Sequence, residues 1–276
     1  MKKYEVKDHV TSLVPEGKEW KLVWADEFDG NELDRSKWDF RREIMGTRHK
    51  AWCGEEGIEL DGNSNCVFKV IEKNGEICSA QLQTGYNFMD AVKDDAGTRY
   101  SGGLNWPIAP LKKSLFLHKH GYYECRCKLQ QKEGWWSAFW MQSPIIGASL
   151  DPAQAGVELD IMESFHPGDV ILHCCHYNGY GIDHRDSRAG EGRRGLDLNE
   201  YHTFAMEWDE TGYTFYIDGE EDGHVDGPVS DCPEFILVGT EVMGYREAEH
   251  APTAQARAAV GDTFVVDYVR VFDAVG

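Results

Sequence analysis

Three carboxylates stand close together in one short apolar stretch of the chain. Glu158, Asp160 and Glu163 belong to the run GVELDIMESF at 156–165, which otherwise reads as a buried strand. Side chains two positions apart share a face of a strand, so Glu158 and Asp160 face one side and Glu163 the other. One extra residue in a β-bulge around Ile161–Met162 returns Glu163 to the first face. We therefore predict three acids on one face of a bulged strand.

Carboxylates that crowd together repel one another, and folding gains nothing from this repulsion. Two carboxyl groups about 5–5.5 Å apart suit a retaining glycosidase, in which one is the nucleophile and the other the acid/base. Three oxygen donors also suit a calcium ion, and a solvated strand face is the plain alternative. The broken alternation favours catalysis over a solvated face, since such a face needs no bulge.

Period-two alternation recurs along the chain and indicates many strands. It is seen in YYECRCKL at 122–129 and in HTFAMEWD at 202–209, which a turn joins to GYTFYIDG at 212–219 as a hairpin. FILVGTEV at 235–242 and TFVVDYVRVFD at 263–273 have the β-branched and aromatic content of strands. Long amphipathic helices are absent. These features predict an all-β sandwich or barrel.

Composition sets limits on size and partners. The chain has 276 residues, of which 41% are hydrophobic, and its formal net charge is −20. This charge argues against nucleic acid and anionic membranes as partners. We predict one catalytic β-sandwich domain at 18–276, preceded by a polar N-terminal extension at 1–17, and a protein that is a monomer.

The N-terminus and the cysteines bear on the compartment. The start MKKYEVKDHVTS has no apolar run after its lysines, so the sequence as written predicts a cytoplasmic protein. A chain from which a leader had been removed would look the same and would be secreted. The eight cysteines include no paired C-x-x-C motifs, so we expect reduced core thiols and no zinc knuckle.

The acid-bearing run and its neighbours resemble one known family. VELDIMES resembles the bulged E-x-D-x-x-E signature of glycoside hydrolase family 16 (laminarinases and β-glucanases), and further stretches are similar to that family in the same order. The resemblance covers about residues 20 to 273 and is found in LVWADEFDGNELDRSKW (22–38), HGYYECRCKL (120–129), GWWSAFWMQ (134–142), HCCHYNGYG (173–181), YHTFAMEWDETGYTFYIDG (201–219) and FVVDYVRVFD (264–273).

The resemblance implies a β-jelly-roll sandwich of the concanavalin A type, with a glycan cleft on its concave face. It also implies hydrolysis of internal β-glycosidic bonds with retention of configuration. Carried over by position, Glu158 is the nucleophile, Glu163 the general acid/base, and Asp160 a partner that hydrogen-bonds the nucleophile. Ser137 and Val157 stand where the family commonly has proline and glycine, which puts the subsites nearest the cleavage point in doubt.

Further residues are candidates for binding the polysaccharide or oligosaccharide substrate. The resemblance favours Trp136 as a sugar-stacking platform, and Trp140 has the same parity on the strand, with core packing as the alternative. His176 is favoured over His173 for the cleft, although a core histidine is an equal alternative for either. Trp106 is a further candidate, because it lies in a predicted loop.

No cofactor is required for this chemistry. Family members often carry a structural calcium ion, for which Glu27 and Asp267 match the relevant stretches. An arginine-rich run between Arg185 and Arg194 is either a solvated loop or a cleft edge that grips an acidic sugar.

Three functions remain open at this point. The first is an endo-β-glucanase that acts on β-1,3- or mixed β-1,3-1,4-glucan. The second is a β-galactanase of the same mechanism, of the agarase, porphyranase or carrageenase type. The third is an inactive, lectin-like glycan binder, against which the intact acids argue, because a binder has no need of crowded carboxylates.

Overall fold

The computed structural model describes residues 1–41, 54–87, 112–190, 192, 195–244 and 251–276, and the backbone of 100–101 and 104–105. Strands make up most of the regular structure. In chain order they are β1 (Lys2–Tyr4), β2 (Ser12–Val14), β3 (Glu19–Asp26), β4 (Asp39–Phe40), β5 (Ile58–Leu60), β6 (Cys66–Lys69), β7 (Ile71–Lys73), β8 (Glu76–Cys78), β9 (Gln81–Gln83), β10 (Tyr100–Ser101), β11 (Leu104–Asn105), β12 (Gly121–Lys128), β13 (Trp135–Gln142), β14 (Glu158–His166), β15 (Val170–Tyr177), β16 (Arg185–Ala189), β17 (His202–Asp209), β18 (Gly212–Ile217), β19 (Glu220–Val225), β20 (Phe235–Val242) and β21 (Thr263–Val275).

Two large antiparallel sheets form a sandwich. One has seven strands in the order β16-β15-β14-β13-β20-β9-β4, and the other has the order β19-β18-β17-β12-β21-β6-β5, with β3 also paired to β21. The predicted all-β sandwich is confirmed, and the described strands do not close into a barrel. The predicted hairpin is confirmed as well, since Asp209 of β17 pairs with Gly212 of β18.

The core lies between the two sheets, and strand alternation decides which side chains enter it. The two sequence runs with clear alternation each place one set of residues inside and the other outside. The inner set is fully buried and consists of Tyr123, Cys125, Cys127, Phe204, Met206 and Trp208. The seven described cysteines are free and six are buried, five of them in the core as expected and the sixth, Cys174, outside it.

Helices are few and short in the described part of the chain. They are a 3-10 turn (Gly54–Gly57), α1 (Pro152–Ala155) and α2 (Ala254–Ala258). Thr253 caps α2 by accepting a hydrogen bond from the backbone N–H of Ala256. None of these helices has the length and apolar character needed to cross a bilayer.

The N-terminal segment differs from its predicted character as a polar extension. Within 1–17, β1 and β2 form a hairpin that packs on the outer face of the eight-stranded sheet. Val14 is fully buried there against Trp20, Tyr122 and Phe272. The sequence did not reveal this packing, because the hairpin contributes few apolar side chains and most of its partners lie far along the chain.

Candidate active site

A β-bulge interrupts the middle of β14. Phe139 of β13 pairs with Met162, and the next residue, Trp140, pairs with Asp160. Ile161 is therefore the extra residue on β14. Ile161 and Met162 are both fully buried in the core, and two consecutive inward side chains reverse the alternation beyond this point.

The reversal places Glu163 on the outer face of the seven-stranded sheet together with Glu158 and Asp160. Across the antiparallel ladder, Glu163 lies opposite Ala138 and Asp160 opposite Trp140, and residues paired in this way share a face. Asp160 is 4% exposed, whereas Glu158 and Glu163 are partly exposed. We call this side of the sheet, with its three carboxylates, the acid face. Their roles in a reaction stay predictions.

Two donors hold one oxygen of Glu158. The side-chain Nε2 of Gln142 donates to Oε2 of Glu158 over 2.8 Å, and the hydroxyl of Tyr180 donates to the same oxygen. The other end of Gln142 is also fixed, because its Oε1 accepts from Nη2 of Arg41 at 3.0 Å and from the side-chain amide of Asn87. An amide whose oxygen is used in this way must turn its NH₂ toward Glu158.

Tyr180 is held in the protonated form that can donate. Burial and the neighbouring charge of Glu158 raise the pKa of the Tyr180 hydroxyl well above its ordinary value. The ionised phenolate would lie beside a carboxylate, which is unfavourable. The hydroxyl is therefore a donor to Glu158 over the whole neutral range of pH.

His176 forms an ion pair with Asp160 on the acid face. Its Nε2 lies 3.3 Å from Oδ2 of Asp160, and its Nδ1 lies 2.9 Å from Nε2 of His184. Burial alone would lower the pKa of His176, but hydrogen bonds to Asp160 and Cys174 and the charges of Asp160 and Glu158 raise it to about 11. His176 is thus a cation at neutral pH and offsets part of the negative charge of the acids.

The two histidines of β15 face opposite sides of the sheet. His173 is fully buried on the core side, where its Nδ1 lies 2.6 Å from the carbonyl oxygen of Ile161 and its ring stacks on Phe215. His176 lies on the acid face, opposite Glu158 in register. The preference for His176 as the cleft residue agrees with this placement, although contact with a sugar stays a prediction.

Both tryptophans predicted for substrate binding lie on the acid face. Trp136 is 6% exposed, and its ring centroid is 5.1 Å from that of Phe165. Trp140 is 8% exposed, and the guanidinium of Arg41 lies over its ring at 4.9 Å. One ring face of Trp140 is therefore already occupied. Trp106 lies outside the described residues.

The two carboxylates predicted as calcium ligands accept hydrogen bonds from arginines. Both oxygens of Glu27 accept from Arg270, at 2.8 and 2.7 Å, and Asp267 accepts from Arg126. A calcium ion bound by these carboxylates would have to displace both guanidinium groups. The residues as folded do not fit the predicted ion.

The arginine-rich segment is in part a strand. Residues 185–189 form the edge strand β16, in which Arg188 pairs with Cys174 and so belongs to the side of the acid face. Arg185 and Arg188 are exposed, and Arg188 Nε lies 3.6 Å from Asp186 Oδ1. Arg193 and Arg194 lie outside the described residues.

Four residues that hold Glu158, either directly or through Gln142, were not predicted from the sequence: Arg41, Asn87, Gln142 and Tyr180. Gln142 could have been found, because it follows Trp140 by two positions on β13 and must share its face. Arg41 and Asn87 come from segments with no local feature that points to the acids. Only the folded sheet brings them to Gln142.

The chain is similar to proteins of one family in sequence and in fold. The sequence profile of "Glycosyl hydrolases family 16" matches residues 92–227. A curated relative named "Glucan endo-1,3-beta-glucosidase A1" from Niallia circulans is 27% identical over 91% of this chain, which spans 37% of that protein's length. A "Beta-glucanase" from Rhodothermus marinus is 25% identical over 92% of this chain and 85% of its own length.

A solved structure shares the fold of this chain. The catalytic domain of an endo-1,3-β-glucanase (laminarinase) from Thermotoga petrophila RKU-1 superposes with a TM-score of 0.64 and 23% identity. The superposition covers 94% of this chain and all of that domain. This likeness shows that the chain has a β-jelly-roll sandwich fold.

Proposed function

Because the chain belongs to glycoside hydrolase family 16, we propose that it is a retaining endo-β-glycanase that cleaves internal linkages of β-1,3- or mixed β-1,3-1,4-glucan. The observation that carries this proposal is the bulge at Ile161, which brings Glu158, Asp160 and Glu163 to one face. A lectin would gain nothing from this costly arrangement of charge.

In the first step Glu158 attacks the anomeric carbon of the sugar. Gln142 and Tyr180 hold its Oε2, so its Oε1 is free to form the new bond to carbon. As the bond from that carbon to the leaving oxygen breaks, Glu163 gives its proton to the leaving oxygen. The product of this step is a covalent glycosyl-enzyme, and the shortened glucan departs.

In the second step Glu163 acts as a base. It takes a proton from water, whose oxygen attacks the same carbon and releases Glu158. Asp160 lies between the two glutamates in sequence and is paired with the His176 cation. This pair allows three carboxylates to stand on one face without the full cost of their mutual repulsion.

The proposed substrate rests on the similar proteins of known name. Both curated relatives described above are named as glucanases, one for the β-1,3 linkage. A β-galactan is the alternative that the same mechanism allows, and the net charge of −20 disfavours a sulfated one.

Two measurements test the proposed function. Release of reducing ends is measured on laminarin, barley β-glucan, lichenan, agarose and carrageenan, with Glu158→Ala as the inactive control. Proton NMR then records the anomer that forms first from the polymer that is cut. We expect cleavage of the glucans and the β-anomer; binding without cleavage, or release of the α-anomer, would contradict the proposal.

A further inference from the structure

We propose that the acid face also binds a thiophilic divalent cation such as Zn²⁺, through Asp160, Cys174 and His176, and that the bound ion inhibits hydrolysis. The inhibition rests on the function proposed above. The binding does not, because it follows from the side chains alone.

The three side chains meet through the register of two adjacent strands. Cys174 of β15 lies directly opposite Asp160 of β14, and His176 lies opposite Glu158. One donor atom from each of Asp160, Cys174 and His176 lies within 4.8 Å of the other two. Asp160 and Cys174 are each 4% exposed. The three donor side chains therefore lie on two paired strands, and only small side-chain movements are needed for them to bind one ion.

The donor set selects the kind of ion. A carboxylate oxygen, a thiolate sulfur and an imidazole nitrogen are the three ligand types of zinc, at about 2.0–2.3 Å, and a tetrahedral ion keeps a fourth position open. Calcium and magnesium prefer oxygen ligands in larger number. The site should therefore discriminate strongly between these two classes of cation.

His184 supports His176 as a ligand. Nδ1 of His176 lies 2.9 Å from Nε2 of His184, so an N–H at Nδ1 can donate to that neighbour. An ion that binds His176 must displace the proton that Nε2 shares with Asp160, 3.3 Å away, and the N–H at Nδ1 then keeps its acceptor in His184. A second hydrogen-bonded group that fixes the ring in this way is usual behind a metal-bound histidine.

A competing arrangement shares the same histidine. Donor atoms of His176, His184 and Asp186 also lie within 4.8 Å of one another. This set has no sulfur, and Asp186 is exposed on the edge strand. We favour the set with Cys174, because it adds a thiolate, is more buried and lies among the carboxylates, whose charge attracts a cation.

An ion at this place would stop the proposed reaction in a simple way. It would bind Asp160 and lie beside Glu158, the nucleophile, so its charge would weaken the attack on carbon. It would also fill space on the acid face where the sugar must lie. We therefore expect inhibition that added substrate relieves.

The test compares Cys174→Ser with the matched variant Cys232→Ser. Cys232 is a partly exposed thiol whose sulfur donates to the carbonyl of Gln154 within α1, and it is not among the donor atoms of either cluster described above. Metal-free protein with reduced thiols is titrated with Co²⁺, and the sulfur-to-cobalt absorption band is recorded. Zn²⁺ inhibition is then measured against each variant's own uninhibited rate, with Mg²⁺ as the control ion. If Cys174→Ser folds poorly, Cys174→Ala replaces it.

We expect the cobalt band in the wild type and in Cys232→Ser and its loss in Cys174→Ser. The Zn²⁺ concentration for half inhibition should rise more than about tenfold in Cys174→Ser, since even outer-shell partners of a metal are worth 10–100-fold. The proposal is overturned if the band persists without Cys174, or if His184→Gln, and not Cys174→Ser, abolishes inhibition. A cobalt band in a protein that cuts no glycan would leave the site intact and refute only the proposed function.

Discussion

Gln142 donates a hydrogen bond of 2.8 Å to Oε2 of Glu158, and it can do so in only one orientation of its amide. The amide oxygen of Gln142 accepts hydrogen bonds from Arg41 and Asn87. A flipped amide would place its NH₂ group against these two donors. Glu158, the proposed nucleophile, is thereby fixed by a side chain that contacts Oε2, the oxygen to which the attack is not assigned. Gln142 is in this sense a positioning residue.

Replacing Gln142 should impair the chemical step more than substrate binding. In Gln142→Leu the carboxylate loses a donor, and a hydrogen bond to a charged group is worth about 1.5–3 kcal/mol, so we expect kcat to fall about 10- to 100-fold. KM should change little. Steady-state kinetics on the preferred glucan measure both constants.

Tyr180→Phe is the matched control for Gln142→Leu, because it removes only the second donor to the same oxygen. We expect a smaller fall in kcat from Tyr180→Phe. The double variant should lose more than the sum of the two, since each single variant keeps one donor to Oε2 and the double variant keeps neither. Equal changes in KM and unchanged kcat in both variants would show that neither side chain positions Glu158.

Glu163→Gln should separate the two glutamates by role. The loss of general acid catalysis costs about 10²–10⁴-fold in kcat on a glucan. An aryl β-glucoside oligomer with an acidic phenol as leaving group needs no proton, so its phenol should be released at near the wild-type rate in the first turnover. A stopped-flow burst of phenol measures this.

Glu158→Gln serves as the counterpart, and it should show no burst with the activated substrate, since it lacks the nucleophile. A burst in Glu158→Gln together with none in Glu163→Gln would reverse the two assignments.

Stability should fall as pH rises because of Glu234. This fully buried glutamate accepts from the backbone N–H of Val157 at 3.0 Å, and burial raises its pKa to about 8. An unfolded chain has a value of about 4.3. Between these two values the folded protein holds a proton that the unfolded chain releases, so the free energy of unfolding decreases with increasing pH. Burial raises the pKa of Glu124 to about 7, with the same sign.

Glu234→Gln tests this dependence, because glutamine resembles the neutral acid and cannot lose a proton. Between pH 5 and pH 9 its melting temperature should decline less than that of the wild type, whereas the exposed Glu210→Gln should follow the wild type. Parallel melting curves for the wild type and Glu234→Gln would show that Glu234 titrates normally.

Removal of residues 1–17 should destabilise the sandwich without altering the acid face. The hairpin gives Arg270 two partners, the Val10 carbonyl and the Ser12 hydroxyl, both at 2.7 Å, and its Leu13 N–H donates to Glu124. A hydrogen bond to a charged group contributes about 1.5–3 kcal/mol after the hydration that replaces it is taken into account.

We therefore expect a clearly lower melting temperature, together with a near-normal kcat at 20 °C for the folded fraction, since the hairpin packs on the sheet opposite the acids. Circular dichroism and the rate per active site, titrated with a mechanism-based inhibitor, measure the two quantities. An unchanged melting temperature would mean that the hairpin adds nothing to the fold.

Much of the fold and of the acid face could be predicted from patterns within single strands. The alternation in 122–129 and 202–209 identified the inner faces of β12 and β17, because a strand with one buried side must alternate. The spacing of Glu158, Asp160 and Glu163 predicted the bulge, because without it the charged side chain of Glu163 would lie in the core, where burial of a charge is costly.

Other features depended on residues far apart in sequence. Glu27 matched a calcium-binding stretch, but Arg270, 243 positions later, takes both its oxygens. Nothing near Glu27 in the sequence indicates Arg270. The second difference is local: the segment that begins at Arg185 was predicted as a loop, but it pairs with the preceding strand β15 as an edge strand. Its first four residues are polar and lack the apolar alternation by which a strand is recognised.

The sequence by itself determined the class of fold, the acid trio and the side of the strand on which the trio lies. These depend on the two-residue period of a strand and on the cost of burying charge, which act over a few neighbouring positions. Only the tertiary structure decided what surrounds the trio: Gln142 and Tyr180 at Glu158, His176 and Cys174 at Asp160. Those contacts arise from the order and register of strands in the sheet, which are set by the packing of the whole sandwich.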